Sequence, residues 1–134
     1  MLVRHIMSGP PVTVPPTESV RDVALTMRAL DAGYLFVVGD DSLVGVVTDR
    51  DLVNRVLATG LSAETRVEAV MTGAPASVDA DADVMAAYRI MRDLGVRRVP
   101  VLSERRLVGV VTFDDVFRLA TQELDGLGDV VDIA

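Results

Sequence analysis

Two short sequence strings each contain a Thr hydroxyl and an Asp carboxylate that could bind the same ligand. Thr48 precedes Asp51 by three residues, and Thr112 precedes Asp115 by the same spacing, each after a Gly-Val-Val run. At the start of a helix, such residues lie beside unpaired N–H groups and the positive end of the helix dipole, which suit a phosphate. The carboxylate can accept two hydrogen bonds from a ribose cis-diol. The spacing therefore indicates two sites for a sugar phosphate.

The same spacing is also typical of a capping box. In that arrangement the Thr hydroxyl accepts a hydrogen bond from the backbone of the acid, and the acid accepts one from the backbone of the Thr. A single Thr-x-x-Asp string is more often a cap than a ligand site. The two roles are compatible, so both interpretations stay open.

The two strings belong to a duplication that covers nearly the whole chain. Residues 3–51 align with residues 67–115 without a gap, and 17 of the 49 aligned positions are identical. One copy is too small to bury much apolar surface, so we expect the copies to pack against each other. The predicted organisation is a first domain over 3–60, a linker over 61–66, a second domain over 67–124 and an acidic tail over 125–134.

Each copy is predicted to form the order β-α-β-β-α. Apolar residues at helical spacing predict a helix from Val20 to Leu30 and another from Val84 to Leu94, with Thr17 and Asp81 as N-caps. Two nearly continuous apolar strands follow in each copy, joined by a short turn. A last helix is predicted over 49–58 and 113–123. The fold class is thus α/β in the α+β sense, with two tandem units packed with pseudo-two-fold symmetry.

Pro100 lies within one of these predicted strands and bears on its place in the sheet. The strand is predicted from Arg98 to Leu102. Proline cannot donate a hydrogen bond to a ladder, so it indicates an edge strand or the end of a strand.

The order of elements and the repeated Gly-Val-Val-Thr-x-x-Asp string resemble the cystathionine-β-synthase (CBS) domain. A tandem pair of such domains is called a Bateman module. The resemblance covers residues 3–124, and its most specific strings are Gly45 to Asp51, Gly109 to Asp115 and Val96 to Val101. Two strings in register are far more specific than one.

The resemblance implies that basic residues before the last strand pair contact phosphates. Arg97 and Arg98 hold that place in the second copy, and arginine binds phosphate through two parallel hydrogen bonds. The alternative is a solvated strand end that offsets nearby acids. The first copy has Gly33 and Tyr34 there instead, so the two sites are not expected to bind equally. Arg50 is a local replacement with a weaker case.

In CBS pairs the ligand lies in the cleft between the copies, so the resemblance implies that each site draws on both. One site would combine Thr112 and Asp115 with Ser8, Thr13, Gly33 and Tyr34. The other would combine Thr48 and Asp51 with Thr72, Ser77 and Val96. Arg97 and Arg98 could serve either site.

Composition excludes several classes of function. The net charge of −7 argues against nucleic acid and against an anionic membrane surface. The chain has no cysteine, which excludes thiol chemistry and thiolate zinc sites, and His5 has no partner at metal-ligand spacing. No nucleophile, base or metal cluster converges, so no catalytic residue is predicted. The chain lacks a signal peptide and a membrane span, which favours a cytoplasmic protein.

The expected function is a regulatory binding module without catalysis or an obligatory cofactor. Its ligand would carry adenosine: AMP, ADP or ATP first, with S-adenosylmethionine or NAD(H) as less favoured choices. We expect a homodimer formed through the helices of the CBS units, and a separate regulated protein of unknown identity. The alternative is an interaction protein that dimerises with empty ligand sites.

Overall fold

The computed structural model describes residues 1–122. Within that part of the chain, no helix is long and apolar enough to cross a membrane. The strands are β1 (Thr13–Val14), β2 (Tyr34–Gly39), β3 (Ser42–Thr48), β4 (Thr72–Gly73), β5 (Val78–Asp79), β6 (Arg98–Ser103) and β7 (Arg106–Thr112). The helices are α1 (Val20–Leu30), α2 (Asp49–Leu52), a π-helical continuation of α2 (Val53–Leu57), α3 (Val84–Leu94) and α4 (residues 113–122). Single 3₁₀ turns lie at Val3–His5 and Val67–Ala69.

The chain divides into two compact units, and each contains one of the two motifs. The first-motif unit comprises Pro11–Pro75 together with Glu104–Leu107. The second-motif unit comprises Met1–Pro10, Ala76–Ser103 and, within the described residues, 108–122. The mixed α and β fold class and its tandem organisation are therefore confirmed. The predicted domain boundaries themselves stay a prediction.

The first-motif unit is built on a sheet with the strand order β1-β2-β3-β4. β1 runs parallel to β2, whereas β2 with β3 and β3 with β4 are antiparallel. The apolar stripe of α1 covers this sheet, because Val23 and Met27 are buried against strand residues. The buried cluster consists of Val14, Val23, Met27, Leu35, Val37, Val47 and Val67.

The second-motif unit repeats the plan with the strand order β5-β6-β7. Its core contains Val3, Val78, Ala80, Ala87, Met91, Val99, Val101 and Val111. The presence of Val3 in this core is informative, because Val3 belongs to the first copy of the sequence repeat. The backbone N–H of Val3 donates to the Ala82 carbonyl at 2.9 Å, and Ser8 forms an antiparallel bridge with Val110.

The leading segment of each repeat therefore packs with the other repeat. Residues 1–8 join the second-motif unit, and the 3₁₀ turn Val67–Ala69 with β4 joins the first-motif unit. The motif glycines permit this arrangement. A Cβ at Gly109 would lie 2.5 Å from the Ser8 carbonyl oxygen, and one at Gly45 would lie 3.0 Å from the Thr72 carbonyl oxygen.

The predicted helix N-caps are wrong by two residues in both copies. Ser19, not Thr17, caps α1 by accepting from the Asp22 N–H at 3.1 Å. Asp83, not Asp81, caps α3 by accepting from the Met85 N–H at 2.8 Å. This backbone hydrogen bond holds the pKa of Asp83 below its ordinary value. Several capping residues precede each helix, so composition alone does not choose among them.

The expectation for Pro100 is also wrong, since β6 is the central strand of its sheet and Pro100 is its third residue. The sheet tolerates this proline because β5 is short. Its parallel ladder with β6 pairs Val78 with Val101 and Asp79 with Leu102. No hydrogen bond from position 100 is needed on that side of the strand.

The last helix of each copy differs in type. In the first copy, α2 is α-helical only to Leu52 and continues as a π-helix to Leu57. In the second copy, α4 is α-helical throughout residues 113–122. The predicted end of this helix at Glu123 and the acidic tail lie outside the described residues.

Candidate functional site

Thr48 and Asp51 form a complete capping box at the start of α2. The Thr48 N–H donates to Asp51 Oδ2 at 2.9 Å, and the Asp51 N–H donates to Thr48 Oγ1 at 3.1 Å. β3 ends at Thr48 and α2 begins at Asp49, so both side chains lie where the strand meets the helix.

Thr112 and Asp115 repeat this geometry at the start of α4. The Thr112 N–H donates to Asp115 Oδ2 at 2.8 Å, and the Asp115 N–H donates to Thr112 Oγ1 at 3.2 Å. The capping interpretation is thus confirmed for both motifs. Capping leaves the hydroxyl hydrogen of each Thr and the Oδ1 atom of each Asp for further hydrogen bonds. The Asp51 and Asp115 side chains are 16% and 15% exposed, so solvent reaches both carboxylates.

An arginine from the following helical turn approaches Oδ1 in each motif. Arg55 Nη2 lies 3.7 Å from Asp51 Oδ1, and Arg118 Nη1 lies 4.0 Å from Asp115 Oδ1. The sequence analysis missed both arginines. The signal was present, because residues three and four positions apart are neighbours on a helix surface.

The backbone contact at the start of each last helix has a different charge beside it in the two copies. In the first copy the Asp49 N–H donates to the Gly33 carbonyl at 2.9 Å, and a Cβ at Gly33 would lie 3.2 Å from Asp49 Oδ2. In the second copy the Phe113 N–H donates to the Arg97 carbonyl at 2.7 Å. The Arg97 guanidinium lies 4.8 Å from the centre of the Phe113 ring. The repeat aligns Gly33 with Arg97 and Asp49 with Phe113, so the acid of the first copy belongs to the motif and the arginine of the second copy belongs to the segment before β6.

The remaining basic candidates are exposed. Besides its contact with the Phe113 ring, Arg97 makes a long ion pair, in which Nη2 lies 3.9 Å from Asp114 Oδ1. Arg98 is the first residue of β6, beside Arg97. Arg50 lies in the first turn of α2, where its N–H donates to Asp49 Oδ1 at 2.8 Å. The acid beside it makes Arg50 a poorer phosphate ligand than the pair in the second copy.

Some of the predicted site residues share a unit with the motif to which the sequence analysis joined them. Ser8 pairs with β7, the strand that ends at Thr112, and Thr72 pairs with Val46 of β3, the strand that ends at Thr48. These two placements bring Ser8 and Thr72 towards the expected motifs.

The other predicted partners belong to the opposite unit. Thr13, Gly33 and Tyr34 lie in the first-motif unit, where Tyr34 pairs directly with Thr48. Ser77 and Val96 lie in the second-motif unit. The joining of each set with its motif across the two units stays a prediction.

A groove that the sequence did not reveal lies beside the second motif. It encloses about 310 Å³ and is lined by Met1, His5, Ile6, Asp115, Arg118, Leu119 and Gln122. The groove is thus bordered by residues 1–6 on one side and by α4 on the other. Among residues 1–122, no cluster of three or more His, Cys, Asp or Glu side chains could hold a metal ion.

Comparison with known proteins identifies relatives along most of the chain. Hypoxic response protein 1 of Mycobacterium tuberculosis is 40% identical over 117 residues, which cover 86% of this chain and 82% of that protein. Its crystal structure, which contains two coordinated zinc ions, superposes with a TM-score of 0.79 at 39% identity and covers 88% of this chain and 98% of that one.

Two further structures of similar fold contain adenosine compounds. The CBS domain pair of protein MJ0100, in complex with 5′-methylthioadenosine and S-adenosyl-L-methionine, has a TM-score of 0.77 at 29% identity and covers 92% of this chain and 98% of its own. CBSX2 in complex with AMP has a TM-score of 0.76 at 27% identity and covers 90% of this chain and 96% of its own. The CBS domain family model matches residues 3–58 and 67–121. The chain therefore belongs to the CBS domain family, as a tandem pair.

Proposed function

We propose that this protein is a regulatory module that senses an adenosine-containing ligand, with AMP, ADP or ATP as the first choice. The observation that carries the proposal is the pair of capping boxes. Each leaves a Thr hydroxyl hydrogen and one carboxylate oxygen outside the cap at a helix start, the place where a ribose and a phosphate could bind. The adenosine compounds bound by two proteins of similar structure support the same ligand class.

The second motif is the stronger candidate for phosphate recognition. Arg97 directly precedes β6 and Arg98 is its first residue, whereas in the first copy the Asp49 carboxylate lies beside Gly33, the counterpart of Arg97. An acid at that place repels a phosphate, and an arginine attracts it. We therefore assign the main ligand to Thr112 and Asp115.

The module acts by binding alone and needs no chemical step. A ligand changes the behaviour of a protein when it binds two states with different affinity. A separate protein would read that difference. S-adenosylmethionine and NAD(H) remain less favoured ligands of the same class, and a cytoplasmic location remains part of the proposal.

A thermal melt against a panel of nucleotides tests the proposal. AMP, ADP, ATP, S-adenosylmethionine and NADH are each added, with CMP as a control that keeps the ribose phosphate and lacks adenine. A specific ligand at about 100 times its Kd adds about 2.7 kcal/mol, which raises Tm by on the order of 10 °C. If no adenosine compound raises Tm above the CMP control, the sensing proposal is wrong. An interaction protein with empty sites is then the better interpretation.

A further inference from the structure

Arg55 connects three parts of the first-motif unit. Its Nη1 atom donates to the Val70 carbonyl at 2.8 Å and to Thr72 Oγ1 at 3.3 Å. Its Nη2 atom lies 3.7 Å from Asp51 Oδ1. One guanidinium therefore ties the motif carboxylate to the segment that leads into β4. The planar fork of arginine suits such a bridge, and lysine could not make all three contacts.

The second copy lacks this bridge. The repeat aligns Arg55 with Leu119, Val70 with Ile6, and Asp51 with Asp115. In the second-motif unit these counterparts line the open groove of about 310 Å³. In the first-motif unit, by contrast, the Arg55 side chain contacts both the Val70 carbonyl and Asp51 Oδ1.

The arginine near the second motif does not replace it. Arg118 lies 4.0 Å from Asp115 Oδ1, and its side chain is 70% exposed. Within residues 1–122, the Arg118 side chain makes no hydrogen bond and no other ion pair. An exposed pair without a second anchor contributes little and moves aside readily.

The helix around Arg55 is also exceptional. The π-helical stretch Val53–Leu57 surrounds it, whereas the counterpart region of α4 is α-helical. A π-helical turn changes the direction in which the following side chains leave the helix, and such turns occur frequently at functional sites. Here the turn accompanies an arginine that reaches the 70–72 segment.

We propose that the anchored Arg55 side chain disfavours ligand binding at the first motif by pairing with Asp51. The ligand then binds at the second motif. The inference rests on the proposed adenosine-sensing function. An anchored guanidinium shares the charge of Asp51 Oδ1 and lies where a ligand would contact that oxygen. A ligand at the first motif must therefore displace an anchored cation, and a ligand at the second motif need not.

The test uses the full chain and AMP as the probe, with affinity and stoichiometry measured by titration calorimetry. Asp115→Ala removes the second motif and leaves weak AMP binding. Adding Arg55→Leu, which copies the residue found at position 119, is expected to tighten that binding at least tenfold. Arg55→Lys is the matched control, since it keeps the charge without the three-way bridge and should give an intermediate gain. A merely structural role for Arg55 would not create a binding site.

The outcomes separate this inference from the proposed function. If the natural chain binds AMP but Arg55→Leu in the Asp115→Ala background brings no gain, the proposed effect of Arg55 is wrong and the sensing function stands. If neither the natural chain nor any variant binds AMP, both proposals fall.

Hydrogen exchange provides a measurement that does not depend on the ligand. Arg55→Leu should speed amide exchange at Thr72 and Ala74 at least fivefold, while the Ser8 amide in the other unit stays unchanged. Unchanged exchange at Thr72 and Ala74 would overturn the bridge itself.

Discussion

At the scale of single residues, the motif Thr and Asp serve two purposes with different atoms. Thr112 Oγ1 and Asp115 Oδ2 are occupied by the capping box, while the Thr hydroxyl hydrogen and Asp Oδ1 stay available. The Thr and Asp therefore cap the helix even when no ligand is bound. A substitution can separate the two purposes only if it preserves the cap.

Asp115→Asn is such a substitution. The amide oxygen can still accept from the Thr112 N–H, so the free energy of unfolding should fall by less than about 1 kcal/mol. The lost charge and acceptor should weaken AMP binding about tenfold or more, since hydrogen bonds to charged groups contribute about 1.5–3 kcal/mol. Titration calorimetry measures the affinity, and urea denaturation checks the stability.

Asp51→Asn is the matched control in the first copy. It changes the same atom of the same motif, yet it should weaken AMP binding less than Asp115→Asn or Arg98→Ala. Only the second copy has this arginine pair, with Arg97 directly before β6 and Arg98 as its first residue. Equal losses from Asp51→Asn and Asp115→Asn would show that the two motifs bind alike.

At the scale of elements, the leading segments depend on a close backbone approach at the motif glycines. Gly109→Ala would push a Cβ against the Ser8 carbonyl and the Met7 sulfur, so β7 and residues 7–8 must separate. Overpacking of this kind costs about 1–3 kcal/mol. Urea denaturation should show that loss. Gly9→Ala is the control, because no atom lies within 4 Å of a Cβ built at Gly9. A Gly109→Ala variant as stable as Gly9→Ala would contradict the close packing.

The elements themselves were largely predictable, because apolar periodicity records which face of each helix and strand is buried. The helical spacing predicts one apolar stripe of Val20, Val23, Ala24, Met27 and Leu30. The structure buries Val20, Val23 and Met27, whereas Ala24 and Leu30 are exposed. The capping boxes were predictable for the same local reason. The packing of Val3 with the second copy was not, since it depends on a long-range contact that no local pattern in residues 1–8 records. The three-way bridge of Arg55 was missed for the same reason.

At the scale of the whole molecule, the duplication is a template on which small differences produce two unlike sites. Asp49 opposite Phe113 and Arg55 opposite Leu119 are single changes within one repeated frame. Both changes disfavour a ligand at the first motif by different means: the Asp49 carboxylate repels a phosphate, and the Arg55 guanidinium pairs with the Asp51 Oδ1 atom that a ribose would contact. The repeat thus explains the fold that the two copies share. The positions at which the copies differ explain why we propose that the two motifs bind the ligand unequally.

The whole molecule also presents apolar side chains that the described residues do not cover. Leu57 at the end of the π-helix is 76% exposed, and Phe117 in α4 is 60% exposed. They lie on the last helix of each copy. The expected homodimer forms through the helices of the CBS units, so these two helices are candidates for its interface. Burial of one such side chain contributes about 1.5–3 kcal/mol.

Leu57→Glu and Phe117→Glu test whether these helices form the dimer interface. Each substitution would bury a carboxylate if the interface exists, so each should raise the dimer dissociation constant at least tenfold, as measured by analytical ultracentrifugation. Val12→Glu is the control, because Val12 is similarly exposed but directly precedes β1 and belongs to neither helix. If the natural chain sediments as a dimer and both helix variants dissociate no more readily than Val12→Glu, the interface lies elsewhere. If the natural chain is a monomer at every concentration, Leu57 and Phe117 do not serve self-association.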